Sequence, residues 1–275
     1  AQTPSDEDPI LYFPTIKNDF YRTMIAGASV MNVGTAPAYV QITLKVTQVD
    51  RYTSSSLVGQ TYTDFAIIEP GSSLLFSKWL NNLGGMPTGT FAAATVESID
   101  NELYDPQLLV GATNDSKQLS GVIGGRGITL YAAFADNSTT DTIAAPIIRE
   151  LIGDVTGGLT VQNVGTAPAT IYFEYYEYGT ENVYKFHTVN ALDVSEAVNT
   201  NRVSLEFNCY KFLFDSGFTS FSELGNKQFS VIASSTISGT GESIIGLASE
   251  NSITNVLDMR NYEGLNILID HALPE

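Results

Sequence analysis

At 275 residues and 29.7 kDa the chain has room for one large or two ordinary domains. Its 43% hydrophobic and 11% aromatic residues supply a core, while 16% charged residues falls well below the roughly 25% of an average soluble protein. Thirteen basic against thirty acidic residues give a net charge of −17 with no basic cluster, which disfavours nucleic acid and anionic membrane surfaces as partners.

No stretch approaches the roughly 20 apolar residues of a membrane span, so no membrane insertion is expected. The single cysteine, Cys209, cannot close an intramolecular disulfide, and no Cys/His spacing points to zinc. The opening Ala1-Gln2-Thr3-Pro4 carries the small residues that signal peptidase leaves behind. With seven lysines among abundant Ser, Thr, Asn and Gly, this places the expected location outside the cell, secreted or on the cell surface.

Taken in chain order, an acidic leader containing Asp6, Glu7 and Asp8 reads as a solvated terminus. The apolar, proline-interrupted stretch Ile10-Leu11-Tyr12-Phe13-Pro14-Thr15-Ile16 follows as an extended segment. Ala28 to Leu44 alternates around Asn32-Val33-Gly34-Thr35-Ala36-Pro37-Ala38, where glycine is expected to supply a positive φ and proline a corner between two strands. Ser77 to Leu83, around Trp79, is one short helical candidate. Phe91 to Val96, Leu108 to Ala112 and Gly127 to Tyr131 read as further strands. Asp100, Glu102 and Asp105 put hard oxygen ligands close together in a loop, a pattern that can hold Ca²⁺, although EF-hand spacing is missing and a solvated loop competes. Asn114 and Asn137 open glycosylation sequons, both expected in loops. Gly121 to Gly127 lacks the Lys-Ser/Thr ending of a phosphate loop and reads as a hairpin turn.

The heptapeptide beginning at Asn32 recurs without change at Asn163-Val164-Gly165-Thr166-Ala167-Pro168-Ala169, a shift of 131 positions. Its flanks agree, and Ile10 to Ile16 resembles Ile143 to Ile148. Looser matches pair Phe91–Val96 with Phe229–Ser234, Leu108–Ala112 with Ile244–Ala248, and Gly127–Tyr131 with Gly264–Leu268. A polar linker near Asp136 to Asp141 divides the copies. The expected fold is therefore all-β: two tandem antiparallel β-sandwich domains, residues 1–136 and 137–275, related by internal duplication, with a β-barrel as the competing fold. Both halves are acidic, seven basic against thirteen acidic residues in the first and six against seventeen in the second.

From Gly27 through Thr113, the small-residue strand, the heptapeptide, the β-branched strand, Ile68-Glu69-Pro70-Gly71-Ser72 and Gly89-Thr90-Phe91 resemble the immunoglobulin-like tandem modules of secreted prokaryotic surface proteins. That resemblance implies a secreted structural or adhesive role and specifies no ligand. The second copy departs after residue 180, where Asn190 to Asn208 has no Pro-Gly counterpart.

Signs of chemistry are few. His187 and His271 sit in no triad signature, and carboxylates are too numerous for any pair to be singled out, so an enzyme is not expected. Phe173 to Tyr178 and Tyr210 to Phe214 fit either a sugar-stacking face or a core. The expected function is a homopolymeric subunit of an extracellular filament or cell-surface assembly, with an adhesin or glycan-binding module as the alternative. Ile10, Leu11, Tyr12, Phe13 and Ile16 are the candidate assembly strand, pairing either with a neighbouring subunit's sheet edge or within their own domain.

Overall fold

A computed structural model describes residues 8–118, 126–152, 155–200, 212–215, 217–237, 239, 241–252, 259–263 and 265–266. Among them the chain is all-β, with two antiparallel sheets. The first is built from β1 (Ile10–Phe20), β2 (Met24–Asn32), β3 (Ala38–Val49), β4 (Thr61–Ile68), β5 (Ser73–Phe76), β6 (Thr90–Ser98), β7 (Leu109–Gln118), β8 (Arg126–Ala132) and β9 (Phe134–Ala135). The second contains β10 (Thr142–Ile152), β11 (Val155–Asn163), β12 (Tyr172–Glu177), β13 (Val183–Thr188), β14 (Ala197–Asn199), β15 (Phe212–Phe214), β16 (Lys227–Ser234), β17 (Ile244–Ser252), β18 (Met259–Glu263) and β19 (Leu265–Asn266).

Alternation makes these strands. In β3, Ala38, Val40, Ile42, Leu44 and Val46 are fully buried while Tyr39, Gln41, Thr43 and Lys45 point the other way. Each buried Val, Ile or Leu contributes about 1.5–3 kcal/mol by leaving water. The sheets fold over themselves as sandwiches, each around its own core. The first core is aliphatic, centred on Leu11, Phe13, Ile16, Val40, Ile42, Leu44 and Leu109. The second is aromatic: Phe173, Tyr175, Phe186 and Phe229 are buried, and Phe212, Phe214 and Phe221 pack against them. Of the two aromatic stretches of the second half, Phe173, Tyr175, Phe212 and Phe214 thus serve as core while Tyr176 and Tyr178 turn outward, and Tyr210 lies outside the described residues.

Strand orders match. The first sheet runs β4-β3-β6-β1-β2-β7-β8 and the second β13-β12-β16-β10-β11-β17-β18, with β15 added outside β13. β1 pairs with β9 through Leu11 and Tyr12, is bulged between Phe13 and Ile16, then pairs with β2 through Lys17 and Phe20. β10 pairs with β19 and then β11 across the same kind of bulge, between Ala145 and Ile148. Pro14 and Pro146 lie in these bulges, where a residue without an N–H does not break the ladder.

The pairings correct the finer matches drawn from sequence. Asn32 faces Leu109 and Asn163 faces Ile244, so Leu109 corresponds to Ile244 and Gly111 to Gly246, one residue away from the sequence match. Phe13 faces Ala94 and Ala145 faces Val231, which moves the β6 and β16 match by one as well. The counterpart of β8 is β18, not the segment beginning at Gly264, because Ala132 and Glu263 hold matching places opposite Ala112 and Leu247. The helical candidate near Trp79 is a single 3-10 turn, Lys78–Leu80.

Candidate functional site

The repeated heptapeptide is a corner braced by its own asparagine. Asn32 is fully buried; its Nδ2 donates to the carbonyls of Ala36 and Ile68, both at 2.8 Å, and its Oδ1 accepts from Gly34 N–H at 2.9 Å. Asn163 repeats the set, donating to Ala167 and Leu192 at 2.9 Å and accepting from Gly165 at 3.0 Å. Outside the corner, Gln107 Oε1 accepts from Thr35 and Ala36 N–H, and Glu242 Oε2 from Thr166 and Ala167 N–H. Neither glycine has a positive φ. Glycine is favoured because a Cβ at position 34 would lie 2.9 Å from Gln107 Cβ as well as 2.4 Å from its Oε1, and one at 165 would lie 2.8 Å from Glu242 Cβ as well as 2.2 Å from its Oε2. These anion-accepting N–H groups are already filled by the chain's own side chains, so the motif is structural.

Ile10, Leu11, Tyr12, Phe13 and Ile16 lie in β1, inside their own sheet between β6 and β2. Leu11, Phe13 and Ile16 point into the first core. Tyr12 and Ile10 face outward and meet the second sheet: Tyr12, Phe134 and Ile245 form one apolar cluster, with Ile10 and Val164 against it. The Tyr12 hydroxyl donates to Asp136 at 2.6 Å, Thr140 bridges to Ile244, and Lys45 Nζ lies 3.4 Å from Asp193 Oδ2. Thr95 and Ser195 hydroxyls add a 3.4 Å contact. The outer face of β1 thereby covers the outer face of β11 and β17, with β6 reaching Ser195 and β8 lying near β18.

Burial, then the hydrogen bond to Asp136 and the charges of Asp136, Asp8 and Glu97, push the Tyr12 phenol far above its usual range. A folded pKa above the unfolded one means that the contribution is fully present below about pH 10 and is lost as the pH rises further. The junction should therefore survive neutral and mildly alkaline conditions. Ultraviolet titration of wild type against Tyr12→Phe should show one late-ionising phenol missing in the variant; an unchanged titration would refute this.

Gln162, on β11, is fully buried, and its amide nitrogen and oxygen have no hydrogen-bond partner among the described residues. Its counterpart in the first sheet is Met31, since Gln162 faces Ile245 as Met31 faces Val110. An unpaired buried amide costs about 1–3 kcal/mol. Gln162→Met should raise stability by about 1 kcal/mol in denaturant titration, and a loss would contradict the assignment.

The outer face of the second sheet carries a hollow of about 610 Å³ lined by Tyr172, Glu174, Lys185, His187, Asp215 and Ile232, among others. Tyr172 and His187 are cross-strand partners with ring centroids 5.3 Å apart, and His187 Nδ1 lies 3.1 Å from its neighbour's carbonyl. Burial pulls the Glu174 carboxyl up, but hydrogen bonds from Lys185 and Tyr176 outweigh it and hold the group below the usual carboxylate range. The same bond to Glu174 leads burial in pushing the Tyr176 phenol up to about 12. Ile237 stands at the rim, 80% exposed.

The remaining sequence candidates are dispersed. Asp100, Glu102 and Asp105 are exposed around a turn organised by Asn101, and no group of three or more His, Cys, Asp or Glu side chains converges among the described residues. Asn114 is exposed but sits mid-strand in β7, between β2 and β8, so it is not in a loop. Asn137 is exposed in the 3-10 turn Asp136–Ser138. Cys209, His271 and the segment Gly121 to Gly125 lie outside the described residues. No described helix is long and apolar enough to cross a membrane.

Fold and site together define an all-β protein of two like-ordered sandwich sheets joined by an apolar contact. No protein-family model matches the chain, and no curated protein is similar to it in sequence.

Proposed function

We propose that the chain is a secreted structural subunit, made of two immunoglobulin-like modules that arose by duplication, which associates with further copies of itself in an extracellular filament or cell-surface assembly. The observation that carries this reading is the contact between the sheets. A chain that joins one module to another of the same strand order by an apolar face already contains a repeatable joint. Donation of β1 to a neighbour would require exchange, since β1 occupies the middle of its own sheet and deleting it would remove Leu11, Phe13 and Ile16 from the core.

The test is light scattering of the purified chain across concentration and ionic strength, with negative-stain microscopy. Because each copy carries a net charge of −17, association should strengthen as salt shortens the Debye length to about 8 Å at 0.15 M and less above it. A monomer at every concentration and salt would end the assembly reading. The second reading, an adhesin or carbohydrate-binding module, is favoured by the hollow at Tyr172 and His187, where rings for stacking adjoin Glu174 and Asp215 as hydroxyl acceptors. Soluble glycans bound by the monomer would support it.

A further inference from the structure

We infer that the outer face of β2 and β7 in the first sheet is the docking surface for the second sheet of another copy, and that this contact repeats the one between the two sheets of a single chain; the inference rests on the assembly reading above. In the second sheet, the outward residues Ile245 and Val164 are covered by Tyr12, Phe134 and Ile10. Register gives their first-sheet counterparts. Val110 takes the place of Ile245 and Val33 that of Val164, while Met31 faces Val110 across the strands. The corresponding face is also apolar, yet it is not closed: Ile245 is fully buried, whereas Met31, Val33 and Val110 are half-buried and Leu108 beside them is 44% exposed.

The complementary face follows from the same correspondence. Tyr12 pairs with Phe134 as Ala144 pairs with Leu265, and Tyr12 faces Thr95 as Ala144 faces Ile232. The outer side of β10 and β16, at Ala144 and Ile232, thus holds the position in the second sheet that Tyr12 and Thr95 hold in the first. It is recessed where the first is filled, because alanine stands where tyrosine does. The hollow bounded by Thr142, Glu174 and Ile232 opens beside it, with Ile237 exposed at its rim. A half-buried apolar strip on one module and an apolar-edged recess on the other, placed where the intrachain contact would fall if repeated, identify the occupant as a second copy of this chain. Such a contact is heterologous, so it propagates as an open filament unless its rotation closes a ring.

The experiment compares wild type, Val110→Arg and Ile232→Arg by light scattering at matched concentration and salt. Both positions are half-buried and outward, and circular dichroism with thermal unfolding checks that each variant is folded. Each charge should raise the concentration for half-assembly at least tenfold, whereas Tyr52→Ser, at a 55% exposed position after the end of β3, should not. A Val110→Cys/Ala144→Cys pair in a Cys209→Ser background should give a covalent ladder with a short bis-maleimide, and either cysteine alone should not. A wild-type chain that never assembles overturns the assembly reading itself. Assembly that proceeds unchanged in both folded arginine variants, with no ladder, overturns this interface alone. A soluble glycan that binds the monomer at the hollow and is displaced by Ile232→Arg without any assembly assigns the recess to sugar and also overturns it.

Discussion

Asn163→Leu should destabilise the second sheet by about 3–5 kcal/mol, and Asn32→Leu should do the same to the first. Leucine keeps the branched skeleton of asparagine but is bulkier, so some overpacking adds to the loss of the polar contacts. In each corner three backbone groups lose a hydrogen bond at once: two carbonyls, at 2.8 Å for Asn32 and 2.9 Å for Asn163, and the N–H of the glycine two residues on, although the Leu192 carbonyl keeps the Ala169 N–H. Both asparagines are fully buried, so water does not reach the Ile68 and Leu192 contacts, although it can reach the outer carbonyl at Ala36. Each unmatched buried group costs about 1–3 kcal/mol, and groups sharing one side chain add less than linearly. Asn→Asp at either position should be no better, since it keeps the acceptor, loses both donors and turns a carboxylate on two carbonyls. Denaturant unfolding of the single variants measures the effect. A loss below about 1 kcal/mol in either would mean that the corner is held by its strands and not by the asparagine.

The corner also marks what is legible in sequence. A seven-residue identity can be found because much of the motif is local: the asparagine, the glycine and the Ala36 carbonyl lie within it, while the Ile68 carbonyl comes from another strand. The reason for its glycine was not legible. The demand comes from Gln107 and Glu242, which are more than seventy residues away, and not from a left-handed φ. Register failed where composition was flat. In β6, Thr90 to Ala94 are all buried, so Phe91-Ala92-Ala93-Ala94 shows no period of two, and a one-residue slip left no trace in the pattern.

At the junction, Tyr12 was legible as part of an apolar strand, but its partner was not. An isolated apolar strand does not say which of its faces meets its own core and which meets another module. Phe134 and Ile245 are ordinary hydrophobic residues with no motif around them, and only the pairing register shows them facing outward. Only the register pairs Val110 with Ile245, each following a core residue in strands of matching place, so the recurrence of an outward apolar residue in the two sheets was hidden by the one-residue slip of the sequence match. The dispersal of Asp100, Glu102 and Asp105 has a converse cause. Proximity in sequence brings carboxylates near one another, but a turn built on Asn101 points them into solvent.

Asp115→Ala should lower the stability of the first sheet by about 3–5 kcal/mol, while Lys17→Met/Asp115→Leu should return to within about 1–2 kcal/mol of wild type. Lys17 on β1 reaches Asp115 on β7 at 2.5 Å, and the two side chains are only 12% and 3% exposed. The second sheet has Arg149 and Glu250 in the corresponding place, with Arg149 Nε 3.0 Å and Nη2 2.5 Å from the carboxylate oxygens. Such a pair gains little net stability over well-packed apolar residues, because both charges have left water, but removing one partner strands the other. Lys117 sharpens the asymmetry. Burial first, and the Lys17 charge second, already depress its ammonium pKa, with Asp115 partly offsetting them. Without Asp115, the charge that offsets Lys17 at Lys117 is gone. Glu250→Gln in the second sheet should be milder than Asp115→Ala, since a side-chain amide still accepts from the guanidinium. Urea unfolding of the single and double variants, closed as a double-mutant cycle, measures the coupling. A single variant costing under about 1 kcal/mol, or a double variant as unstable as Asp115→Ala, would show that the pair is held in place by the sheets without being needed to satisfy its own charges.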